Sequence, residues 1–421
     1  MSKALILGSG GREHAFGEKL ASEGVSVYFG PGNAGTRKIG YNLDEFTDLS
    51  PDRVCPKILE VCKQEQMDLV VVTGEDYLAA AVVNRLTYAN TPAFGATLRA
   101  AKIESSKVWA NRFLELYGIP HARGIEYFLP DFDLVLPESF RVVKADGLAR
   151  GKGVRIAPTS QSVRSVAKKI QIDFPYPAER ILVQEFLEGR EVSAQAFSDG
   201  HRLLFLPYAV DHKRMGEDDS GDNTGGVATY SVPEPWFTRL EQKIIEEDIL
   251  ERLIYYLALN GIDLRGVVYG GIVLTRDGPK LIEVNARAGD PETQVILPRL
   301  QDRLFPILQQ SVAGKFEMPS LDWDRKFALC VVLCSEGYPG KPVINRVVHG
   351  LNDLPKDILV FHGGTGFNDR REVITTSGRV LSVVALGDSL EEAAKKVYAV
   401  IGPSGIHFEG LQFRPNVGLS K

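Results

Sequence analysis

The sequence of 421 residues predicts a multidomain protein of mixed α/β and α+β class. Three observations lead to this prediction. Up to about residue 102, apolar runs alternate with helix-like segments, which is typical of an open parallel α/β sheet. From about residue 140, strand-like runs follow one another through glycine-rich turns, which indicates antiparallel pairing. After about residue 321, a small α/β segment begins.

Composition favours a globular protein of a reducing compartment. Hydrophobic residues make up 44% of the chain, and the net charge of −5 gives no general attraction for nucleic acid or acidic membranes. No apolar run approaches the roughly 18 residues of a membrane span. The four cysteines are too few and scattered for a disulfide framework, and we expect Cys330 and Cys334 to be buried thiols. These features predict a cytoplasmic location.

The chain opens with a strand, a glycine turn and a helix start in the stretch LILGSGGREHA. Gly10 and Gly11 permit a tight turn, and the N–H groups of the helix start would face an anion. The dinucleotide fingerprint fails, because Glu13 replaces its third glycine and the second strand ends in PGN without a ribose-binding acid. The turn therefore predicts a phosphate site and excludes a nicotinamide cofactor. A tight turn without a ligand is the alternative.

The stretch VVKADGLARGKGV reads as a strand, a glycine loop and a second strand. Lys144 lies in the first strand, while Gly147, Gly151 and Gly153 make the loop pliable. A lysine beneath a glycine loop is a common arrangement for nucleotide phosphates, because backbone N–H groups can approach them closely. The Walker spacing is absent, since a glycine follows Lys152. A basic hairpin tip without a ligand is the alternative.

Two further stretches suggest functional contacts, the first of them with a nucleotide. In VQEFLEGREVS, Glu185, Phe186 and Leu187 end an apolar strand, where backbone groups could meet an adenine and Glu191 could meet ribose hydroxyls. An ordinary hairpin is the alternative there. The polar, glycine-rich segment 211–226 begins with DHKR and is too long for an ordinary connection, which indicates function, with a solvated loop as the alternative.

The stretch KLIEVNAR predicts a metal site on a strand. Strand side chains alternate, so Leu281, Glu283 and Asn285 are expected on one face, with Ile282 and Val284 in the core. Carboxylate and amide oxygens suit magnesium bound to nucleotide phosphates. A solvated strand face is the alternative.

A two-residue turn at Asp277 and Gly278 would place Gly270 opposite Asn285.

Long helices are predicted near 237–260 and 291–314. At the junction NARAGDPETQ, charged side chains crowd against an apolar strand, which indicates function for Arg287 and its neighbours.

Taken in order, six motifs resemble the glycinamide ribonucleotide synthetase family of the ATP-grasp superfamily. They are GSGGREHA at 8–15, PGNAGT at 31–36, KADGLA with GKGV within 144–154, DHKR at 211–214, NTGG at 223–226 and GDPETQ at 289–294. Each motif is modest, but the ordered set spans nearly the whole chain and is specific.

The resemblance implies an ATP-dependent carbon–nitrogen ligase of purine biosynthesis. Such an enzyme joins glycine to 5-phosphoribosylamine through a glycyl phosphate and uses Mg²⁺ or Mn²⁺ with ATP. The implied fold is an N-terminal α/β substrate-binding domain over 1–103, an ATP-grasp unit of two sheets clamping ATP over 104–320, and a small C-terminal α/β domain over 321–421. A lid subdomain would span about 120–188. Small-molecule substrates, no nucleic acid or membrane partner, and a monomer or weak dimer are expected.

The resemblance also implies roles for particular residues. The residues implied to bind the nucleotide are Lys107, Lys144, Gly151, Gly153, Glu185, Phe186, Leu187 and Glu191. Those implied to bind the metal are Glu283 and Asn285. Catalytic roles fall to Lys144, Asp211, Arg287 and Asp290. Contacts with glycine or phosphoribosylamine fall to Gly10, Gly11, Arg12, Asn33, Gly35, Thr36, Glu75, Lys213 and Glu292.

The sequence departs from the family pattern in three loops. TGEDYL keeps Glu75 but lacks the usual proline, FGATLRAAKIESSK keeps Glu104 and Lys107, and NTGGVATYSV alters the end of its motif. Two rivals remain: an ATP-grasp ligase with another acid or amine, and a non-catalytic nucleotide-binding regulator. The combined Glu283, Asn285 and Arg287 set disfavours the regulator, since binding alone needs no metal–arginine site.

Overall fold

The structure is a computed structural model that describes residues 1–47, 50–51, 53–128, 136–149, 153–175, 180–218 and 220–419. It confirms the predicted mixed α/β and α+β class, with a parallel sheet first and antiparallel sheets after it. Over the described ranges, no helix is long and apolar enough to cross a membrane. All four cysteines are buried and free, as expected for Cys330 and Cys334.

The N-terminal region is a five-stranded parallel sheet in the order β3-β2-β1-β4-β5. Its strands are β1 Lys3–Gly8, β2 Ser26–Pro31, β3 Tyr41–Asn42, β4 Leu69–Val72 and β5 Ala93–Phe94. Its helices are α1 Gly11–Ser22, α2 Cys55–Glu65, α3 Glu75–Ala79, α4 Val82–Tyr88, α5 Leu98–Ser105 and α6 Lys107–Leu116. The run ALIL in β1 is fully buried, because both faces of a parallel sheet are covered.

A small antiparallel sheet follows, in the order β6-β9-β7-β8. Its strands are β6 Gly124–Phe128, β7 Phe140–Ala145, β8 Val154–Ile156 and β9 Arg180–Glu185, with helix α7 Val163–Asp173 packed on it. The predicted strand–loop–strand reading of VVKADGLARGKGV is thus confirmed for β7 and β8, which pair antiparallel. Gly151 lies outside the described residues.

A nine-stranded sheet forms the rest of the frame, in the order β15-β14-β10-β12-β13-β16-β20-β17, with β11 paired to β10. Its strands are β10 Arg190–Asp199, β11 Leu203–Phe205, β12 Ala209–His212, β13 Ala228–Ser231, β14 Arg265–Thr275, β15 Gly278–Asn285, β16 Phe327–Cys334, β17 Ile358–His362 and β20 Arg379–Gly387. A separate hairpin joins β18 Thr365–Phe367 and β19 Val373–Thr375. Because β13 pairs with β16, the C-terminal strands continue the same sheet.

The remaining helices agree only in part with the sequence. The predicted helix near 237–260 is present as α8 Arg239–Lys243, a π-helical stretch Ile244–Glu251 and α9 Arg252–Leu259. The predicted continuous helix over 291–314 is wrong: α10 Glu292–Ile296 and a 3₁₀ turn Leu297–Arg299 precede α11 Leu304–Ala313. Pro298 lacks a backbone N–H, which favours a break there. Helix α12 Leu390–Ala399 packs on β16 and β20.

The predicted register of the β14–β15 hairpin is also wrong. Thr275 pairs with Gly278, so the turn lies one residue earlier than expected. A β-bulge next to Gly271 then shifts the register again, and Tyr269 rather than Gly270 lies opposite Asn285. A bulge inserts one residue into one strand and re-aims the side chains beyond it.

The bulge changes the faces predicted for β15. Leu281 is buried in the core with Val284, whereas Ile282 lines a cleft together with Glu283 and Asn285. The prediction that Leu281 shares the face of Glu283 is therefore wrong, and so is the prediction that Ile282 lies in the core. The expected polar pair still lies on the cleft side.

Candidate active site

Two cavities lie along the middle of the molecule. A cleft of about 1170 Å³ separates the small sheet from the β14–β15 edge of the large sheet. A second cavity of about 950 Å³ lies between the turn after β1, the loop after β2 and the C-terminal strands. The predicted metal residues and, apart from Gly151, which lies outside the described residues, the predicted nucleotide residues line the first cavity. Gly11 lines the second cavity, and Gly10 lines both.

Two lysines enter the first cleft from opposite elements. Lys144 of β7 is buried, and its Nζ donates to Ile282 O at 2.7 Å, which connects the two sheets. Lys107, at the start of α6, donates to Gly147 O at 2.8 Å. Burial lowers the pKa of Lys144 to about 8 and also lowers the pKa of Lys107, although the Glu283 carboxylate opposes both shifts. A phosphate would therefore favour the charged form of both lysines.

Glu283 is the candidate metal ligand with the strongest electrostatic support. Lys213 Nζ lies 3.5 Å from Glu283 Oε1, and its ammonium is the main reason that the pKa of Glu283 falls to about 2. Gly271 lies opposite, where an added Cβ would stand 2.8 Å from Glu283 Cγ. The carboxylate is thus ionised, and the missing side chain leaves it room.

The donor set fits magnesium held on phosphates. Across the described ranges, no three His, Cys, Asp or Glu side chains cluster as a metal site. Glu283 and the neighbouring Asn285 supply two oxygen donors, and Mg²⁺ commonly takes one or two protein ligands while phosphates and water complete its shell.

The expected adenine edge is only partly available. The carboxylate of Glu185 is held by Arg123 at 2.8 Å, and the Phe186 N–H donates to Ser139 O at 2.6 Å. The Leu187 N–H has no acceptor among the residues that the structure describes, so it can donate to a ligand. Glu191 is exposed at the cleft and lies 3.5 Å from Lys213.

Two acidic side chains, the half-buried Asp211 and the buried Glu292, line the same cleft. Asp211 Oδ1 accepts from Thr229 Oγ1 at 3.0 Å, and Glu292 Oε1 accepts from Ser193 Oγ at 3.0 Å. Burial raises the pKa of Asp211 to about 7, and the Glu292 carboxylate adds to this rise. Tyr269 lies 3.1 Å from Ser193 through its hydroxyl and completes the group.

Arg287 lies between two carboxylates. Its Nε is 3.1 Å from Glu104 Oε1 and 3.2 Å from Glu75 Oε2. Burial alone would raise the pKa of Glu75, but the Arg287 and Arg12 guanidiniums lower it to about 2. The altered loop TGEDYL thus still brings Glu75 to the site.

The turn after β1 offers fewer N–H groups than expected. The Gly10 N–H donates to Glu13 Oε2 at 2.9 Å, which caps helix α1. The Gly11 N–H has no acceptor in the described parts of the chain, so it remains available to an anion. Arg12 pairs with Glu13 at 2.7 Å and donates to Ala288 O at 3.1 Å.

The loop after β2 has mainly a shaping role in this structure. Asn33 donates to Ser9 O and His362 O and accepts from the N–H groups of Gly35 and Thr36. Thr36 is fully buried, and an added Cβ at Gly35 would collide with His362. Only Asn33 of these three lines the second cavity.

Two features of this region were not predicted. Residues 363–366 of the loop HGGTG line the second cavity, and an added Cβ at Gly363 would stand 3.7 Å from Gly11 N. Its glycines directly after an apolar strand were a usable signal. Arg379 of β20 donates to Asp290 O at 2.7 Å and to its Oδ2 at 3.1 Å, and no local pattern marked it.

Comparison with known proteins accords with this geometry. Domain models of phosphoribosylglycinamide synthetase match residues 2–104 (N domain), 105–293 (ATP-grasp domain) and 328–420 (C domain). A phosphoribosylamine–glycine ligase of Caldanaerobacter subterraneus subsp. tengcongensis is 38% identical over 423 residues, 99% of each chain. The crystal structure of the Thermotoga maritima phosphoribosylamine–glycine ligase is 31% identical, with a TM-score of 0.80 over 98% of this chain and 99% of that one.

A more distant structure shows the shared fold alone. The biotin carboxylase domain of Hydrogenobacter thermophilus 2-oxoglutarate carboxylase, solved with MgADP, has a TM-score of 0.71 at 10% identity and covers 99% of this chain and 93% of its own. The resemblance stated from the six motifs is confirmed by the three domain models and by the full-length relative. The chain belongs to the phosphoribosylglycinamide synthetase family.

Proposed function

We propose that the protein joins glycine to 5-phosphoribosylamine at the expense of ATP, giving glycinamide ribonucleotide, ADP and phosphate. The observation that carries the proposal is the cleft in which Glu283 is surrounded by Lys107, Lys144 and Lys213. Such a site neutralises a polyphosphate, and phosphoryl transfer requires chiefly positioning and neutralisation of charge. No side-chain nucleophile is needed.

The first step activates glycine. Its carboxylate oxygen attacks the γ-phosphorus of ATP, the bond to the β–γ bridging oxygen breaks, and ADP leaves with the electron pair. Lys107, Lys144 and Lys213 offset charge on the phosphates, and Arg287 faces the acyl phosphate that forms. Glu283 and Asn285 would hold a Mg²⁺ or Mn²⁺ ion, which when bound would supply positive charge to offset that of the phosphates.

The remaining assignments follow the two cavities. The adenine and ribose of ATP would lie against Glu185, Phe186, Leu187 and Glu191. The loop that contains Gly153 would cover the phosphates. Asp211, Glu292 and Glu75 surround the glycine end. Gly11, aided by Asn33 and its loop, meets the 5-phosphate of phosphoribosylamine, because the first N–H groups of a helix bind anions.

We also propose the domain limits 1–103, 104–320 and 321–421, with a lid at about 120–188. They are supported by the three matched domain models, although β13 and β16 pair across the last limit. Four free, buried thiols are compatible with a cytoplasmic location.

The proposed function is tested by measuring ADP release with a panel of amino acids, while phosphoribosylamine is generated in the assay. We expect full turnover only with glycine and phosphoribosylamine together, and an amide product. Turnover with a different acid or amine would identify another ligase of the same fold. Nucleotide binding without any turnover would support a regulator.

The lid assignment predicts a change in hydrogen exchange. We expect the amides of β7 and β8 to exchange about tenfold more slowly after addition of ATP and Mg²⁺, because lids belong to the less stable parts of a structure and are ordered by their ligands. Mass spectrometry of peptides from 140–145 and 154–156 measures this. Peptides from α12 serve as the control, and equal exchange in β7 and β8 with and without ATP would contradict a lid.

The phosphate site predicts a selective loss in Gly363→Ala. The added Cβ would make a tight contact with Arg379 O at 3.0 Å and an ordinary van der Waals contact with Gly11 N at 3.7 Å. It would therefore take up space beside the N–H proposed to bind phosphate. We expect the KM for phosphoribosylamine to rise about tenfold while the KM for ATP changes less than about twofold. Steady-state kinetics with each substrate varied separately provide the measurement. A rise confined to ATP would place the nucleotide in this cavity instead.

A further inference from the structure

The two cavities meet at one place. The residues that line both of them are Ser9, Gly10, Asp290 and Arg379. Ser9 and Gly10 belong to the turn after β1. Among the residues that the structure describes, the charged groups common to both cavities are the Asp290 carboxylate and the Arg379 guanidinium. If the proposed function is right, the amine of phosphoribosylamine must reach the acyl phosphate past this pair.

Asp290 is held firmly but keeps free acceptor capacity. Its Oδ1 accepts from Gln294 Nε2 at 2.7 Å and its Oδ2 accepts from Arg379 at 3.1 Å. A carboxylate oxygen can accept more than one hydrogen bond, so each oxygen can still receive an N–H. An added Cβ at Gly10 would lie only 3.6 Å from Asp290 Oδ2, which shows how directly the carboxylate faces the phosphate-binding turn.

Arg379 fixes this carboxylate from the C-terminal part of the chain. It also donates to the carbonyls of Asp290 and Gly225, so it connects β20 to the junction after β15 and to the NTGG loop. Burial opposes the charged form of Asp290, but Arg379 and Arg12 lower its pKa, which keeps it an acceptor. An arginine with several fixed donors holds a carboxylate more rigidly than a single contact would.

We propose that Asp290 accepts a hydrogen bond from the amino group of phosphoribosylamine and aims its nitrogen at the acyl carbon, and that Arg379 is the positioning residue that holds Asp290. This proposal rests on the proposed function. In the step, the C–N bond forms, the bond between the acyl carbon and the phosphate oxygen breaks, and that oxygen keeps the electron pair. The amine loses one proton, which leaves with the phosphate.

Hydroxylamine distinguishes this role from a role in glycine activation. It is a small nucleophile that converts glycyl phosphate into glycine hydroxamate without a phosphate-bearing sugar. For the unmodified protein, Arg379→Gln, Arg379→Lys and Asp290→Asn, we measure hydroxamate formed from ATP, glycine and hydroxylamine. In parallel, we measure amide formed from ATP, glycine and phosphoribosylamine generated in the assay. Arg346→Gln is the matched control, because Arg346 pairs with Glu409 in the same part of the chain and lines neither cavity.

For Arg379→Gln and Asp290→Asn, we expect the ratio of hydroxamate to amide to rise about tenfold over that of the unmodified protein. The ratio for Arg379→Lys should lie between that of the unmodified protein and that of these two variants. The ratio in Arg346→Gln should equal that of the unmodified protein. An unchanged ratio in the folded Arg379 and Asp290 variants, whatever their absolute rates, would overturn the proposal. If the unmodified protein forms neither product from glycine, the proposed function fails instead.

Discussion

Glu283→Gln is expected to lower kcat by about 30- to 160-fold, or ~2–3 kcal/mol of transition-state stabilisation. The amide keeps the shape of the side chain but removes the charge that the metal would require. It also removes the carboxylate that favours the charged forms of Lys144 and Lys107, whose pKa values burial already lowers. The defect should therefore persist at saturating ATP. Steady-state kinetics with Mg²⁺ and Mn²⁺ varied separately measure it.

Glu247→Gln is the matched control for this substitution. Glu247 is exposed on the π-helical stretch and forms an i,i+4 pair with Lys243 at 3.6 Å, and such surface pairs contribute little. We expect its kcat to be normal. Near-normal turnover of Glu283→Gln at high Mg²⁺ would show that Glu283 is not a metal ligand. Neutralisation of the phosphates would then be assigned to the lysines.

Much of the nucleotide site could be predicted because its residues lie in short, chemically conspicuous stretches. Lys144 stands out as a cation in an apolar strand, and GDPETQ stands out as a charged cluster after one. Glu283 was predicted from strand alternation, yet the bulge beside it reverses the faces of Leu281 and Ile282. Alternation cannot reveal an inserted residue, since the insertion depends on how the partner strand pairs.

The second cavity was predicted less well, because its walls come from distant parts of the chain. Arg379 reaches Asp290 across 89 residues, through the pairing of β13 with β16 and of β16 with β20. A single arginine in TTSGRV carries no local signal. Likewise, the Gly10 N–H was predicted to meet a phosphate, but Glu13 takes it, because a glycine at the N-cap conceals the usual capping-box pattern.

Arg287→Gln is expected to destabilise the protein as well as to impair catalysis. Removing this guanidinium leaves the buried Glu104 and the half-buried Glu75 without their shared partner, and losing one member of a buried ion pair costs about 3–5 kcal/mol. We expect kcat to fall at least about 100-fold, as for the loss of other groups that stabilise developing charge. Chemical denaturation and steady-state kinetics measure the two effects.

The loss of stability should depend on pH in a definite direction. In the unmodified protein the pKa of Glu75 is depressed to about 2, so its stabilising contribution is present above the unfolded value of about 4.5 and disappears as the pH falls toward 2. Burial already raises the pKa of Glu104 with Arg287 present, and loss of the guanidinium raises the pKa of both carboxylates further. Their ionised forms then become less favourable at neutral pH, and protonation relieves this cost. The stability difference should therefore be largest near pH 8 and shrink as the pH falls below about 5.

The double variant Arg287→Gln with Glu75→Gln separates the structural effect from the catalytic one. Removing one uncompensated carboxylate should restore part of the free energy of unfolding, because contacting residues show non-additive effects. It should not restore kcat, because no guanidinium faces the acyl phosphate. If stability and kcat recover together, Arg287 serves the fold rather than the reaction. If the stability difference is the same at pH 8 and pH 5, Glu104 and Glu75 are not what Arg287 compensates.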